Sequence, residues 1–169
     1  MKFYSNGKLL ITGEYFVLNG ALSLALPTVY GQYLEINDND SNIINWKSYN
    51  NDKEIWFECE MDKDNLDILD CSSKEISKII KELISFIREK ETNFLKSNGS
   101  TINTQLTFDK NWGLGSSSTL INNISKLSGV DPYELNDKFF NGSGYDIACA
   151  ESNSSLLYRL YDDKKEITK

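Results

Sequence analysis

The segment Trp112-Gly113-Leu114-Gly115-Ser116-Ser117-Ser118-Thr119 leaves the chain little choice of local structure. Before it, Ile102, Thr104, Leu106 and Phe108 alternate with Asn103, Gln105 and Thr107, the two-residue period of a strand. After it, Leu120, Ile121, Ile124 and Leu127 recur at helical spacing, and Gly129 closes the run. A strand therefore hands over to a helix through a loop of glycines and serines. The first amides of a helix have no internal partner, and the macrodipole puts partial positive charge there. Glycines let the backbone approach an anion, and serine hydroxyls add donors and a metal ligand. In physical terms this is a phosphate cradle. A flexible Gly/Ser linker is the plainer reading, but a linker joins domains and this loop joins a strand to a helix. It is not a G-x-x-x-x-G-K-[ST] loop, since no Lys follows the second Gly. Nor is it G-x-G-x-x-G, since Ser118 stands at the third glycine.

Other classes are narrowed by what the chain lacks. It has no histidine, which removes Ser-His-Asp and Cys-His catalysis and His-ligated zinc. Acid–base work falls to Asp, Glu, Lys or Tyr, and a metal would be a hard, oxygen-ligated ion such as magnesium. The net charge of −7 argues against nucleic acid as the main partner, although a local Lys at a helix N-terminus still admits an anion. No apolar run is long enough to span a bilayer, which argues against a membrane partner. Gly13 and Glu14 interrupt the run from Leu9, so no signal peptide is read there. The cysteines Cys59, Cys71 and Cys149 show no C-x-x-C spacing and read as buried thiols in a reducing, cytoplasmic setting. At 169 residues the chain suffices for one domain with a sizeable core.

Along the chain, residues 3–5 read as a short strand and Asn6-Gly7 as a turn. Apolar pieces on either side of Asn19-Gly20 read as strands joined there by a hairpin turn, the second ended by Pro27. Residues 29–36 form another strand, and 43–49 with 54–61 a hairpin. Ser72-Ser73-Lys74-Glu75 is a capping box for a helix with Ile76, Ile79, Ile80, Leu83, Ile84 and Ile87 on one face. Phe94 and Leu95 extend that helix, and Asn98-Gly99 stops it. After the glycine loop and its helix, Asp131 caps a second helix with Pro132 at its first position and Glu134 closing the box. A short helix over 147–151, a strand over 155–161, a turn at 162–165 and a return strand from Glu166 complete the chain. Strands come first and helices pack on one side, an α+β arrangement with no internal repeat.

Three glycine-marked segments carry chemistry: Gly7-Lys8 with Gly13-Glu14, the loop at 113–118, and Gly142-Ser143-Gly144-Tyr145-Asp146. Together they offer a Lys, a Glu, a phosphate loop and an Asp beside a tight turn, the parts phosphoryl transfer requires. Singly, each has a bland reading. Lys8 is a solvated strand charge, Glu14 a turn residue and Asp146 a helix N-cap.

In this order and spacing the segments resemble the GHMP small-molecule kinases, among them galactokinase, homoserine kinase, mevalonate kinase and phosphomevalonate kinase. The family's Pro-Gly-Lys…Gly-Glu motif reads Asn6-Gly7-Lys8…Gly13-Glu14 here. Its Gly-Leu-Gly-Ser-Ser-Ala motif reads Gly113-Leu114-Gly115-Ser116-Ser117-Ser118, and its Ser-Gly-x-Asp segment reads Ser143-Gly144-Tyr145-Asp146. The run Gly144-Tyr145-Asp146-Ile147-Ala148 resembles the signature of the GYDIA subgroup, and its turn is similar to that of phosphomevalonate kinases.

The resemblance implies the N-terminal GHMP domain over residues 1–169: a ribosomal-protein-like βαβ core with a mixed or antiparallel sheet backed by helices. The family's C-terminal domain lies outside these residues. It implies a kinase that moves the γ-phosphoryl of magnesium-ATP to a small alcohol or phosphate acceptor, with the mevalonate pathway the nearest match. Gly113, Leu114, Gly115, Ser116, Ser117 and Ser118 would bind ATP, and Ser117 would contact the metal. Asp146 and Lys8 would be catalytic. Glu14, Gly144 and Tyr145 would face the substrate. Tyr15 replaces the family's His after Gly-Glu, and Asp109-Lys110-Asn111-Trp112 replaces its proline-led approach to the loop. The Asn-Pro before Ser-Gly-x-Asp is absent, so Glu134 and Asp137 stand as candidates for the magnesium carboxylate. The rivals are a non-catalytic nucleotide-binding protein on the same fold, and a kinase of a sugar or amino alcohol. Assembly is left open, a homodimer included.

Overall fold

A computed structural model of the chain describes residues 1–162 and 164–169. Alternating apolar and polar residues produce the strands β1 (Lys2–Leu10), β2 (Ser23–Asn39), β3 (Ile43–Tyr49), β4 (Ile55–Asp62), β5 (Ile68–Cys71), β6 (Gly99–Leu106), β7 (Leu156–Tyr161) and β8 (Lys164–Thr168). Four helices follow the 3.6-residue period: α1 (Lys74–Lys90), α2 (Ser116–Ser128), α3 (Pro132–Phe139) and α4 (Tyr145–Glu151). Among the described residues the strands form one sheet in the order β5-β4-β3-β6-β2-β7-β8, with β1 paired to β2. β3 and β6 run parallel and the other pairs antiparallel, so the sheet is mixed. Its apolar face, from Leu34, Ile44, Trp46, Phe57, Met61 and Ile102, meets Ile80, Ile84 and Ile87 of α1, Ile121 and Ile124 of α2, Leu135 and Ile147 in the main core. No helix is long and apolar enough to cross a membrane among the described residues.

β2 is the spine. β1 runs along one edge, while the other is shared by β7 at Ser23–Ala25 and β6 at Gln32–Asn39. Pro27, expected to end a strand, lies between those two spans, where a missing amide breaks no ladder bond to either neighbour. The expected turn at Asn6-Gly7 is instead a β-bulge in a continuous β1, since the register shifts between Asn6 and Lys8. Asn19-Gly20 closes a single 3-10 turn, Val17–Asn19, with Gly20 left-handed at φ 83°, so β1 and β2 are joined by a longer connection than a two-residue hairpin.

Further expectations shift. The N-cap of α1 is Ser73, whose hydroxyl accepts from the Ile76 amide at 3.5 Å. Ser72 turns to β4, exchanging bonds with the Glu58 backbone. The helix also stops at Lys90, short of Phe94 and Leu95. Arg88 donates to the carbonyls of Phe94, Leu95 and Lys63 at 2.9, 3.0 and 2.7 Å, and Leu95 sits at φ 53°, which folds the segment back. Asp131 caps α3 as expected, accepting from Tyr133 at 2.8 Å, whereas the Glu134 side chain pairs with Lys90 rather than closing a box. Cys59 and Cys149 are buried free thiols, but Cys71 is only half-buried at the sheet edge. β8 begins at Lys164, earlier than expected; Asp163 of the expected turn lies outside the described residues.

The glycine loop is fixed from beneath by a buried polar seam. Thr119 donates to Gln32 Oε1 at 2.9 Å, and Asn123 donates to the Gln32 carbonyl at 2.9 Å. Ser5 donates to Asn123 at 2.8 Å and accepts from Asn122 at 2.9 Å. These groups lie out of water, so each lost partner leaves an unpaired polar atom. Thr119→Val removes the hydroxyl and strands the Gln32 amide oxygen. It is expected to destabilise the protein by about 1–3 kcal/mol in urea unfolding, against a change under about 0.5 kcal/mol for the exposed Lys78→Ala.

Candidate functional site

Backbone geometry first sets the loop. Gly113 and Gly115 lie in the left-handed region at φ 71° and 88°, and Gly115 is the N-cap of α2. A side chain at Gly115 would also meet Ser118 Oγ at 2.6 Å and the Lys8 stem at 3.3 Å. Leu114 between them is 7% exposed and packs on Leu106 and Phe108, anchoring the loop to the end of β6. Its carbonyl accepts from the Lys8 amide at 2.9 Å, which ties the loop to β1 at the bulge. Ser118 is buried and donates to the Gly115 carbonyl at 2.9 Å, while Ser117 is exposed at the start of α2.

The third segment arrives through α4. Gly144 is its N-cap at φ 87°, and Asp146 sits in its first turn, accepting from the Ile147 amide at 3.1 Å. Tyr158 of β7 donates to the Ser143 carbonyl, and Asn6 of β1 donates to the Ser152 carbonyl at 2.6 Å. Both ends of α4 are thus held against the sheet, its C-terminal end against β1, the strand that carries Lys8. The Lys8 ammonium lies 5.5 Å from the centre of the Tyr145 ring.

These elements enclose an open cavity of about 310 Å³ whose walls include Lys8, Gly113, Gly115, Ser116, Ser117, Ser118 and Asp146. Leu114 is buried within the loop and does not line the cavity, and Gly144 and Tyr145 precede Asp146 at the start of α4 without lining it. The other expected residues are elsewhere. Glu14 is exposed on the β1–β2 connection and does not line the cavity. Glu134 is paired with Lys90 of α1, and Asp137 with Lys165 of β8 at 3.4 Å; neither faces the loop. Their neighbour on α3, Asn136, does line the cavity and is 2% exposed, together with Phe140 and Lys110. Nothing in the helical period of α3 marked Asn136, which stands one residue after the core-facing Leu135 and so points to a different side of the helix. Lys110 was visible only as the charge immediately before the loop.

A second, apolar cavity of about 190 Å³ adjoins the first and shares Ser116, Ser117 and Phe140 with it. Trp46, Trp56, Phe57, Ile76 and Leu120 form its walls. A polar cleft opening on an apolar slot suits a ligand with an anionic tail and a flat ring.

Electrostatics single out Asp146. Burial pushes its carboxyl above the usual range, while backbone amides and the Lys8 charge pull it part of the way back. Behind it, burial raises the Cys149 thiol to about 12.

No protein-family model matches the chain, and no curated protein matches it. Its solved-structure neighbours show the fold: the chain has the α+β fold of the GHMP kinase N-terminal domain, with its mixed sheet backed by helices. The D-glycero-D-manno-heptose 1-phosphate kinase of Bacteriodes thetaiotaomicron superposes with a TM-score of 0.72 at 16% identity, over 99% of this chain and 58% of that one. The mevalonate kinase of Methanococcus jannaschii gives 0.70 at 15%, over 100% and 56%. The phosphomevalonate kinase of Streptococcus pneumoniae, in complex with phosphomevalonate and AMPPNP, gives 0.66 at 20%, over 96% and 50%. The chain thus spans about half the length of the solved structures it matches.

The raised Asp146 carboxyl has a stability signature. A carboxyl with a higher pKa folded than unfolded favours the fold when protonated. That contribution is complete below the ordinary value of 3.8 and is lost as pH climbs through the folded value. At neutral pH the buried carboxylate therefore opposes folding. Asp146→Asn is expected to be more stable than the wild type at pH 7, with the advantage shrinking as pH falls towards 4. Urea unfolding at a series of pH values checks this, and a constant difference would contradict burial as the dominant cause.

Proposed function

We propose that this chain is the nucleotide-binding half of a kinase that transfers the γ-phosphoryl of magnesium-ATP to a small alcohol or phosphate acceptor. The observation that carries the reading is the meeting of Lys8, the 113–118 loop and Asp146 around one cavity, from three segments far apart in sequence. The amides at the start of α2 point unpartnered N–H groups at that space, the arrangement that binds phosphate. The adjoining apolar cavity suits the adenine ring.

The side chains take separate roles in this reading. Gly113 and Gly115 bring the backbone to the phosphates, and Ser116 and Ser117 donate to them. Lys8 neutralises charge that develops on the transferred phosphoryl. It also favours the ionised form of Asp146, which orients the acceptor hydroxyl and takes its proton. The raised carboxyl suits that task, because a base nearer neutrality accepts a proton more readily. Gly144 and Tyr145 set the position of Asp146.

The donors around the cavity fit magnesium. The Ser117 hydroxyl, the Asp146 carboxylate and the Asn136 amide oxygen are hard oxygen ligands, and magnesium takes one or two carboxylates together with phosphate oxygens and water. Among the described residues no cluster of three or more Cys, Asp or Glu side chains could hold a metal alone, so nucleotide and ion would bind together. Bound there, the ion neutralises the phosphate oxygens. Asn136 replaces Glu134 and Asp137 as the α3 candidate.

The acceptor we assign to the mevalonate pathway, as mevalonate or phosphomevalonate. The turn at Ser143–Asp146 supports this, and mevalonate and phosphomevalonate kinases stand among the structural neighbours. In this reading the remaining substrate contacts come from a second domain, since the chain spans about half the length of its structural neighbours. Exposed apolar side chains at Leu9, Ile11, Phe16, Leu18 and Leu22 provide a surface for it.

Phosphoryl transfer by the full-length protein, with magnesium-ATP and each acceptor in turn, tests the reading. Mevalonate or phosphomevalonate is expected to turn over. Asp146→Asn should lower kcat by about 10²–10⁴ for a hydroxyl acceptor, and by less for phosphomevalonate, whose acceptor oxygen is already anionic. Turnover of a sugar alone would reassign the substrate. ATP binding without transfer to any acceptor would make the protein a non-catalytic nucleotide binder.

A further inference from the structure

The two cavities meet at the loop, and one cation stands at their junction. Lys110 lines the polar cavity, and Trp56 lines the apolar one. The Lys110 ammonium lies over the Trp56 ring, 4.7 Å from its centre. Lys110 is exposed and belongs to none of the ion pairs among the described residues. Lys8, the other cation of the cavity, faces the Asp146 carboxylate. The Trp56 indole N–H is buried without a hydrogen-bond partner among the described residues, so packing and the ammonium are what seat the ring.

The backbone fixes where Lys110 starts and leaves its end free. Lys110 opens a single 3-10 turn, Lys110–Trp112, in which the Asp109 carboxylate accepts from the Asn111 amide at 2.8 Å. Gly113 follows directly, so the Lys110 backbone is held beside the loop. Its flexible four-carbon stem can swing between the ring and the cavity.

Relative strength decides which position wins. An ammonium on an indole face near solvent is weakly held. On a phosphate oxygen it makes a charge-assisted hydrogen bond, the stronger contact. A ligand with a polyphosphate tail and a flat ring would draw Lys110 off Trp56 and lay its ring in the space released. A ring without phosphates would have to compete with the ammonium for that face.

We infer that Lys110 is a specificity-determining residue that exchanges Trp56 for the nucleotide's phosphates, and so selects a nucleoside triphosphate over the bare nucleoside. The inference rests on the nucleotide-binding reading of the site.

Calorimetric titration of the full-length protein with ATP and with adenosine provides the test, using wild type, Lys110→Met and Lys110→Arg. Lys110→Met should weaken ATP about tenfold and leave adenosine unchanged or tighter. Lys110→Arg should keep most of the ATP affinity, since a guanidinium also binds phosphate. In the wild type, inorganic tripolyphosphate alone should alter the emission assigned to Trp56 by difference from Trp56→Phe. Equal weakening of ATP and adenosine, no change in either, or Trp56 emission indifferent to tripolyphosphate would overturn the inference while leaving nucleotide binding intact. A wild type that binds neither ATP nor adenosine would overturn the nucleotide reading and this inference with it.

Discussion

The hydrogen bond from the Lys8 amide to the Leu114 carbonyl, at 2.9 Å, joins two segments more than a hundred residues apart. It exists because β1 bulges at Asn6-Gly7 and because Leu114 is buried against Leu106 and Phe108. The bulge re-aims Lys8, and the buried leucine leaves the glycines on either side free to turn. Without this bond the loop would be an exposed strand-to-helix connection, and Lys8 one more charge on a strand.

Around that bond the fold accepts local costs. α2 presents Thr119, Asn122 and Asn123 to the sheet where an apolar stripe would be simpler. These side chains hold the helix start in one orientation against Gln32 and Ser5, at the price of buried polar groups, of which the Asn122 amide oxygen has no partner among the described residues. Asp146 is a second local cost, a carboxylate kept from water at the start of a short helix. Such conflicts between local stability and fold cluster where a protein does chemistry. Here Asp146 lines the polar cavity, and the seam holds the helix whose first turn lines it.

What could be read in advance follows the range of the forces involved. The strand–loop–helix unit, the Gly129 stop and the Asp131 cap are governed by neighbours in sequence, and they stand where the sequence put them. Pro27 and Asn6-Gly7 carry turn chemistry, yet pairing of β2 with β1, β6 and β7 overrides it. Helix α1 ends early because Arg88 collects distant carbonyls, which no periodicity reveals. At the site, Lys8, the loop and Asp146 could be named from their motifs. Asn136 and the Lys110–Trp56 contact arise only from tertiary packing. Glu134 and Asp137 have the chemistry of metal ligands but lie on the sides of α3 that meet Lys90 and Lys165.

The account turns on whether a triphosphate sits between those three segments. A crystal structure of the full-length protein with AMPPNP and magnesium examines this directly. The phosphates are expected at the amides of residues 115–119, with Lys8 and Asp146 on either side of the terminal phosphoryl group. Density for the phosphates elsewhere on the molecule, with the loop between Lys8 and Asp146 left free, would contradict it.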